Sequence, residues 1–370
     1  MKGLLYVAGA VLGTMMFTQC SDWTEVENKF EEPYSNKGEA YYEQLRAYKK
    51  SDHPVMFGWF SGWTGEGDNM YNMLRGMPDS MDIVSLWGGS FDLTEAKLSD
   101  LKEVREVKGT RILYCQHITD IGRSVTPASV EKDFIVDGVK YDSREEALAA
   151  YWGWYGQYGD TSAEGKEKAI RKYARVIVDS INKYNYDGFD IDYEPNYGYG
   201  GNISSNANHM HILLDELSKD LGPKSGTGRI LMVDGEPQTL NAESGPLLDY
   251  YTIQAYYCHG DSDLDGRFQK LINKFSSVTP GADAAEKEAN ILKKTIWCED
   301  FERHKNDGGP RFTTRDGVVT YSLRGMAMYY RPNIDARIGG VGAYRFDLCR
   351  PVNDYFFIRE VIQTLNPAQK

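Results

Sequence analysis

The run Asp187-Gly188-Phe189-Asp190-Ile191-Asp192-Tyr193-Glu194-Pro195 places four acids among large apolar residues. Side chains alternate across a strand, so in extended backbone Asp190, Asp192 and Glu194 share one face and Phe189, Ile191 and Tyr193 share the other. The apolar face suits packing on helices, which aims the three acids at an interior. Carboxylates spread over roughly 13 Å of buried strand are costly unless they share protons or find donors. A coupled titration follows, with at least one carboxyl protonated near neutral pH. A protonated acid at the end of such a strand is what general acid catalysis requires. Two other uses of these residues stay open. One is a purely structural network of buried acids, and the other is an Asp-x-Asp-x-Glu oxygen site for magnesium or calcium.

These acids need a scaffold, and the chain alternates strand and helix around them. Short β-rich runs fall at 55–59, 83–87, 111–117, 188–194, 230–234, 251–257, 295–298 and 341–346. Helical patterns lie between most of them, at 95–107 behind a Thr94 cap, 164–184, 207–221, 284–293, 323–330 and 355–365. Eight such units predict an α/β fold of the closed (β/α)8 barrel kind, irregular between the fifth and sixth strands, where the connection is short. Barrel active sites lie at the carboxyl ends of the strands, where Glu194 falls on the fourth. Asp261-Ser262-Asp263-Leu264-Asp265-Gly266 imitates the start of a calcium loop, but its twelfth position is Ile272, so we expect a solvated loop. Cys115, Cys258, Cys298 and Cys349 sit in apolar runs and are expected as core thiols, with a Cys258–Cys298 bridge left open. No Cys or His spacing of a zinc site occurs, no metal is assigned, and no Gly-rich phosphate loop calls for an organic cofactor.

The pattern Asp187-x-x-Asp190-x-Asp192-x-Glu194, preceded by Tyr186, resembles the signature of glycoside hydrolase family 18. The resemblance spans about residues 50 to 365. It implies a (β/α)8 barrel that cuts a β-1,4 bond on the reducing side of N-acetylglucosamine, with retention and with the substrate's own acetamide as nucleophile. It implies that Glu194 protonates the leaving oxygen, Asp192 orients the acetamide, Asp190 holds Asp192 and shares its proton, and Asp187 is structural. Gln254-Ala255-Tyr256-Tyr257 resembles the family's Gln-x-Tyr element, which makes Tyr256 the stabiliser of the oxazolinium and Gln254 its neighbour in the pocket. Tyr344 stands where the family often has a Trp beneath the sugar, and Trp59 and Trp87, near the ends of the first two strands, are candidates to line the pocket or equally to join the core. Two departures choose a branch. The third strand reads Ile112-Leu113-Tyr114-Cys115-Gln116-His117 in place of the chitinases' Ser-x-Gly-Gly, and residues 300–339 leave little room for their α+β insertion. Both features resemble the endo-β-N-acetylglucosaminidases, which cut the chitobiose core of N-linked glycans. Segments 119–160, with Trp152, Trp154, Tyr155 and Tyr158, and 196–208, with Tyr197 and Tyr199, read as long loops on which a glycan rests, with packing of an amphipathic helix the equal alternative for Trp152 and Trp154. A chitinase and a non-catalytic glycan-binding barrel are the competing readings; the intact Glu194 favours catalysis.

The amino terminus reads as an address. Residues 1–19 have a basic start and a short apolar run, as in a signal peptide, and Phe17-Thr18-Gln19-Cys20 resembles a bacterial lipobox. Lipidated Cys20 would begin a tether and lead-in helix over 20–50, with the barrel over 51–370. The acidic stretch 21–27 resembles surface-export signals, which predicts an exported lipoprotein on the outer membrane, facing outwards. A net charge of −12 argues against nucleic acid and against electrostatic docking on anionic lipid. The membrane contact expected is therefore the lipid alone, and the default is a monomer. An aromatic content of 13% suits a sugar-binding surface as well as a large core.

Overall fold

In a computed structural model, residues 37–367 are described, apart from 68, 89, 90, 92, 198 and 199. Contacts gather Glu39–Lys370 into one compact unit. Its centre is a closed parallel barrel of eight strands: β1 Val55–Phe60, β2 Ile83–Leu86, β3 Arg111–His117, β4 Gly188–Tyr193, β5 Ile230–Gly235, β6 Tyr250–Gln254, β7 Thr295–Asp300 and β8 Gly340–Tyr344. Each strand pairs with its neighbours in sequence, and β8 closes on β1 through Val55↔Gly340 to Gly58↔Ala343. Helices cover the outside, so both faces of nearly every strand residue are buried. Alternation sorts the side chains. Phe57, Trp59, Leu113, Cys115, Met232, Ile296 and Cys298 form an inner cluster, while Met56, Ile112, Tyr114, Phe189, Ile191, Tyr193 and Val233 join the outer core under the helices.

The main helices are α1 Glu39–Lys49, α2 Glu95–Glu106, α3 Arg144–Trp152, α4 Ala163–Tyr184, α5 Ala207–Leu217, α6 Asp261–Phe275, α7 Ala284–Leu292, α8 Ser322–Ala327 and α9 Phe356–Leu365. Thr94 caps α2 by accepting from the Lys97 amide, and Ser162 does the same for α4 at Gly165. The lead-in helix α1 docks through Lys49 Nζ, which donates to Met81 O and Thr110 Oγ1, both at 2.7 Å. Between β5 and β6 there is no α-helix, only 3₁₀ turns at Pro237–Thr239 and Ala242–Leu247, so the expected irregularity is present. No helix among the described residues is long and apolar enough to cross a membrane.

Several expectations need correction. Residues 261–266 are not a solvated loop but the first turns of α6. Asp261 is buried there and accepts from the Arg315 amide, and Asp265 pairs with Arg315 and Arg331. Acids at a helix start are favoured by its dipole, and the guanidiniums come from 50 and more residues downstream. Segment 119–160 is folded too: two small hairpins, Ile135–Val136 with Val139–Lys140 and Trp154–Tyr155 with Tyr158–Gly159, flank α3. Strand β6 stops at Gln254 instead of running to 257: the Ala255 amide turns back to donate to the Ile253 carbonyl at 2.8 Å, and Tyr257 follows with a φ of 60°. The helix expected over 323–330 stops at Ala327. Cys115, Cys258, Cys298 and Cys349 are all free and buried, so no Cys258–Cys298 bridge forms.

Candidate active site

Strand β4 delivers Asp190 and Asp192 to the barrel interior, and Glu194 follows at its carboxyl end. Asp190 is fully buried; its Oδ2 accepts from Trp59 Nε1 at 2.9 Å and from Ser85 Oγ at 2.7 Å. The barrel register sets Asp234 of β5 directly beside Asp192, and Gln254 Nε2 donates to Asp234 Oδ1 at 2.9 Å. Asp190 Oδ1, Asp192 Oδ1 and Asp234 Oδ2 are buried and receive no donor from any described residue. Oxygens left facing one another in this way are stable only with protons between them. Burial raises all three acids above the ordinary carboxylate range, and the charges of Glu194 and Asp190 push Asp192 further. The cluster thus holds protons at neutral pH directly below Glu194.

A pocket of about 300 Å³ opens above it. Asp192, Glu194, Asp234 and His117 line one side, and Gln254, Tyr256, Tyr344, Trp59 and Trp87 complete it. Tyr344 is the hub of the aromatic wall, with ring centroids 5.6 Å from Trp87, 6.1 Å from Trp59 and 6.3 Å from Tyr256. Burial raises the Tyr256 phenol, which keeps its proton and stays a donor. A second pocket of about 550 Å³ adjoins at Glu194, Gln254 and Tyr256 and adds Glu236, Arg267, Lys270 and the exposed Tyr197.

The structure therefore brings Asp190, Asp192, Glu194, Gln254, Tyr256, Tyr344, Trp59 and Trp87 to one site, with Tyr197 at its rim. Asp187 sits at the other end of β4. Arg105 Nε and Nη2 donate to its two oxygens, both at 2.7 Å, and the Ile112 amide donates to Oδ2 at 2.9 Å. Trp152 does not reach the site, which corrects its assignment to the glycan surface. With 2% of its surface exposed, it packs edge-on against Tyr173 of α4 and donates to Thr126 Oγ1 at 3.0 Å. Trp154 is also core, and Tyr199 and Cys20 lie outside the described residues. Asp234, His117 and Glu236 carried no assignment from sequence. Asp234 could have been found as the lone acid closing the apolar run Ile230-Leu231-Met232-Val233. Glu236 accepts from the Asn196 amide at 2.8 Å and from Asn196 Nδ2 at 2.9 Å, which ties down the segment after Glu194.

Cys115, Asp190 and Asp234 come within 4.8 Å of one another, as ligands of a metal do. The chemistry of the set argues against that use. Burial raises the Cys115 thiol as well as both acids, whereas metal ligands must lose their protons. Trp59, Ser85 and Gln254 already donate to the carboxylates. The arrangement suits a hydrogen-bonded acid cluster.

A (β/α)8 barrel with proton-holding acids under a Glu, in a pocket walled by aromatic rings, is an arrangement suited to acid-assisted cleavage of a glycosidic bond. The comparisons with known proteins agree. The family model for glycoside hydrolase family 18, BT1044-like, matches residues 20–368, and the chain belongs to that family. A solved structure of BT1044, a selenomethionine Glu-to-Gln variant, is 32% identical with a TM-score of 0.72, covering 91% of this chain and 95% of that one. Endo-β-N-acetylglucosaminidase F2 of Elizabethkingia meningoseptica is 24% identical over 220 residues. That match covers 57% of this chain, which spans about half the relative's length, 53%. An endo-β-N-acetylglucosaminidase structure from Cordyceps militaris shares the fold, with a TM-score of 0.53 at 19% identity over 89% of this chain and 96% of that one.

Proposed function

We propose that this hydrolase is an endo-β-N-acetylglucosaminidase that cuts the β-1,4 bond of the di-N-acetylchitobiose core of N-linked glycans. The observation that carries the reading is the convergence of Asp192, Glu194 and Tyr256 on one small pocket, over acids that share protons. A double-displacement glycosidase needs a second free carboxylate across the sugar from its acid. Here Asp192 and Asp234 lie beside Glu194 and are tied into the buried cluster, which favours the substrate's acetamide as nucleophile. In the first step the acetamide oxygen bonds to C1 as the C1–O bond breaks, and Glu194 gives its proton to the leaving oxygen. Asp192 orients the acetamide and offsets the charge of the oxazolinium, and the Tyr256 hydroxyl donates to the acetamide oxygen. Water then adds at C1 with retention, the oxazolinium opens, and Glu194 takes the water's proton.

The open barrel top supports an N-glycan over chitin. After β7 the chain makes only a one-turn helix at Phe301–His304, the hairpin Arg311–Thr313 with Val319–Tyr321, and α8 before β8 begins. That is too little for a wall along a deep groove, and the endo-β-N-acetylglucosaminidase relative points the same way. The test is mass spectrometry on a high-mannose and a complex N-glycoprotein incubated with the protein lacking residues 1–20. Release of glycans ending in one N-acetylglucosamine, with one left on Asn, is expected. Binding without release from either glycoprotein would move the reading to a glycan-binding barrel, and cleavage of chitooligosaccharides alone to a chitinase.

A further inference from the structure

The sequence holds six histidines, and five of them are structurally occupied. His53 bonds Asp82, His209 the Asn202 carbonyl, His211 the Ser244 hydroxyl, His259 the Arg311 carbonyl and His304 the Asp307 carboxylate. His117 differs. Neither of its ring nitrogens has a hydrogen-bond partner among the described residues, and it lines the pocket of Asp192 and Glu194. Strand β3 ends on His117, and the barrel register places it opposite Asp192, so the two side chains enter the interior at one level. Its neighbour two positions back, Cys115, is likewise opposite Asp190.

A polar ring turned into a cavity without a protein partner forfeits hydrogen bonds unless water or a ligand supplies them. Water can do so in the empty pocket; a bound pyranose displaces that water and must replace its bonds. We infer that His117 is a substrate-binding residue, whose imidazole offers one donor and one acceptor to the sugar held between Asp192 and Glu194. The inference rests on the proposed N-acetylglucosaminide specificity and adds to it a residue on β3, the strand on which this chain departs most from the chitinase pattern. The ring's state suits the task. Burial lowers its pKa and the Arg123 charge acts the same way, outweighing the opposing pull of Glu194, so it is neutral at neutral pH. A neutral imidazole can serve vicinal hydroxyls or an acetamide, whereas an imidazolium could only donate.

The test is binding, measured by calorimetry on Glu194→Gln so that no ligand is consumed. The probes are N,N′-diacetylchitobiose, a high-mannose glycopeptide and a biantennary glycopeptide. Adding His117→Ala is expected to weaken each bound probe about tenfold, with the thermal midpoint unchanged. His117→Asn, which keeps a donor and an acceptor, is expected to recover part of that loss. Affinity of the Ala variant within about twofold of its parent would overturn the inference while leaving the N-glycan reading intact. So would a loss matched by a fall in thermal midpoint that Asn does not rescue, since that reports a structural ring. If the Glu194→Gln parent binds none of the probes, the specificity reading fails and the inference falls with it.

Discussion

Glu194 and Asp192 are two residues apart, yet the proposed mechanism gives them different work. Glu194 stands at the mouth, where both pockets meet, and Asp192 stands on the proton-sharing floor. Replacing Glu194 with Gln removes the transferable proton and leaves the shape, so turnover should fall about 10³-fold while glycan affinity persists. Unchanged turnover in that variant would remove the mechanism. Asp192→Asn should cost about 10²-fold or more in kcat, because the oxazolinium loses its nearest counter-charge. Asp190 acts through Asp192, and its effect has a sign. Its negative charge helps to raise Asp192, so Asp190→Asn lets Asp192 lose its proton at lower pH. The acidic limb of the kcat profile, set by the ionisation of Asp192, should therefore move to lower pH in Asp190→Asn; a limb that stays in place, or moves up, would show that Asp190 does not set that titration.

At the scale of elements, β4 is fixed at its far end by the Arg105–Asp187 pair, which joins it to α2. Both side chains are mostly buried, at 20% and 16% exposed, so Arg105→Ala leaves Asp187 with the Ile112 amide as its remaining donor. Urea denaturation should report a loss of about 2 kcal/mol, with KM unchanged because the pair lies away from the pocket. A raised KM at full stability would contradict this division of roles. The same strand shows why part of the site could be read in advance. Alternation of Asp190, Asp192 and Glu194 with Phe189, Ile191 and Tyr193 is a one-dimensional signal, and the barrel interior turned it into geometry. Asp234 and His117 had no such signal. Each is a single polar residue at a strand end, and only the register beside Asp192 gives it meaning. The acids 261–266 were misread for a related reason: their partners Arg315 and Arg331 arrive from beyond β7. Trp152 sits on the inner stripe of α3, and an aromatic on an amphipathic helix has the same spacing whether it meets a sugar or a core.

At the scale of the whole molecule, a barrel of glycoside hydrolase family 18 follows an amino terminus that resembles a lipoprotein signal, and we propose that the protein is exported. No helix among the described residues is long and apolar enough to cross a membrane, and the chain's net charge of −12 gives no electrostatic pull towards anionic lipid. We propose that Cys20, which lies outside the described residues, carries the lipid that the lipobox-like residues 17–20 imply, and that this lipid holds the protein at a membrane. Several acyl chains on one residue anchor a protein firmly, whereas one chain alone binds reversibly. Cys20→Ala should accordingly release active enzyme into the medium, with kcat and KM equal to those of the anchored form. Protease added to intact cells should degrade the wild-type protein if the acidic residues 21–27 direct it to the outer face. Cell-bound Cys20→Ala would end the lipid-anchor proposal. Protection from protease, with Cys20 lipidated, would place the enzyme on the inner leaflet and make its substrates glycans that have already crossed the outer membrane.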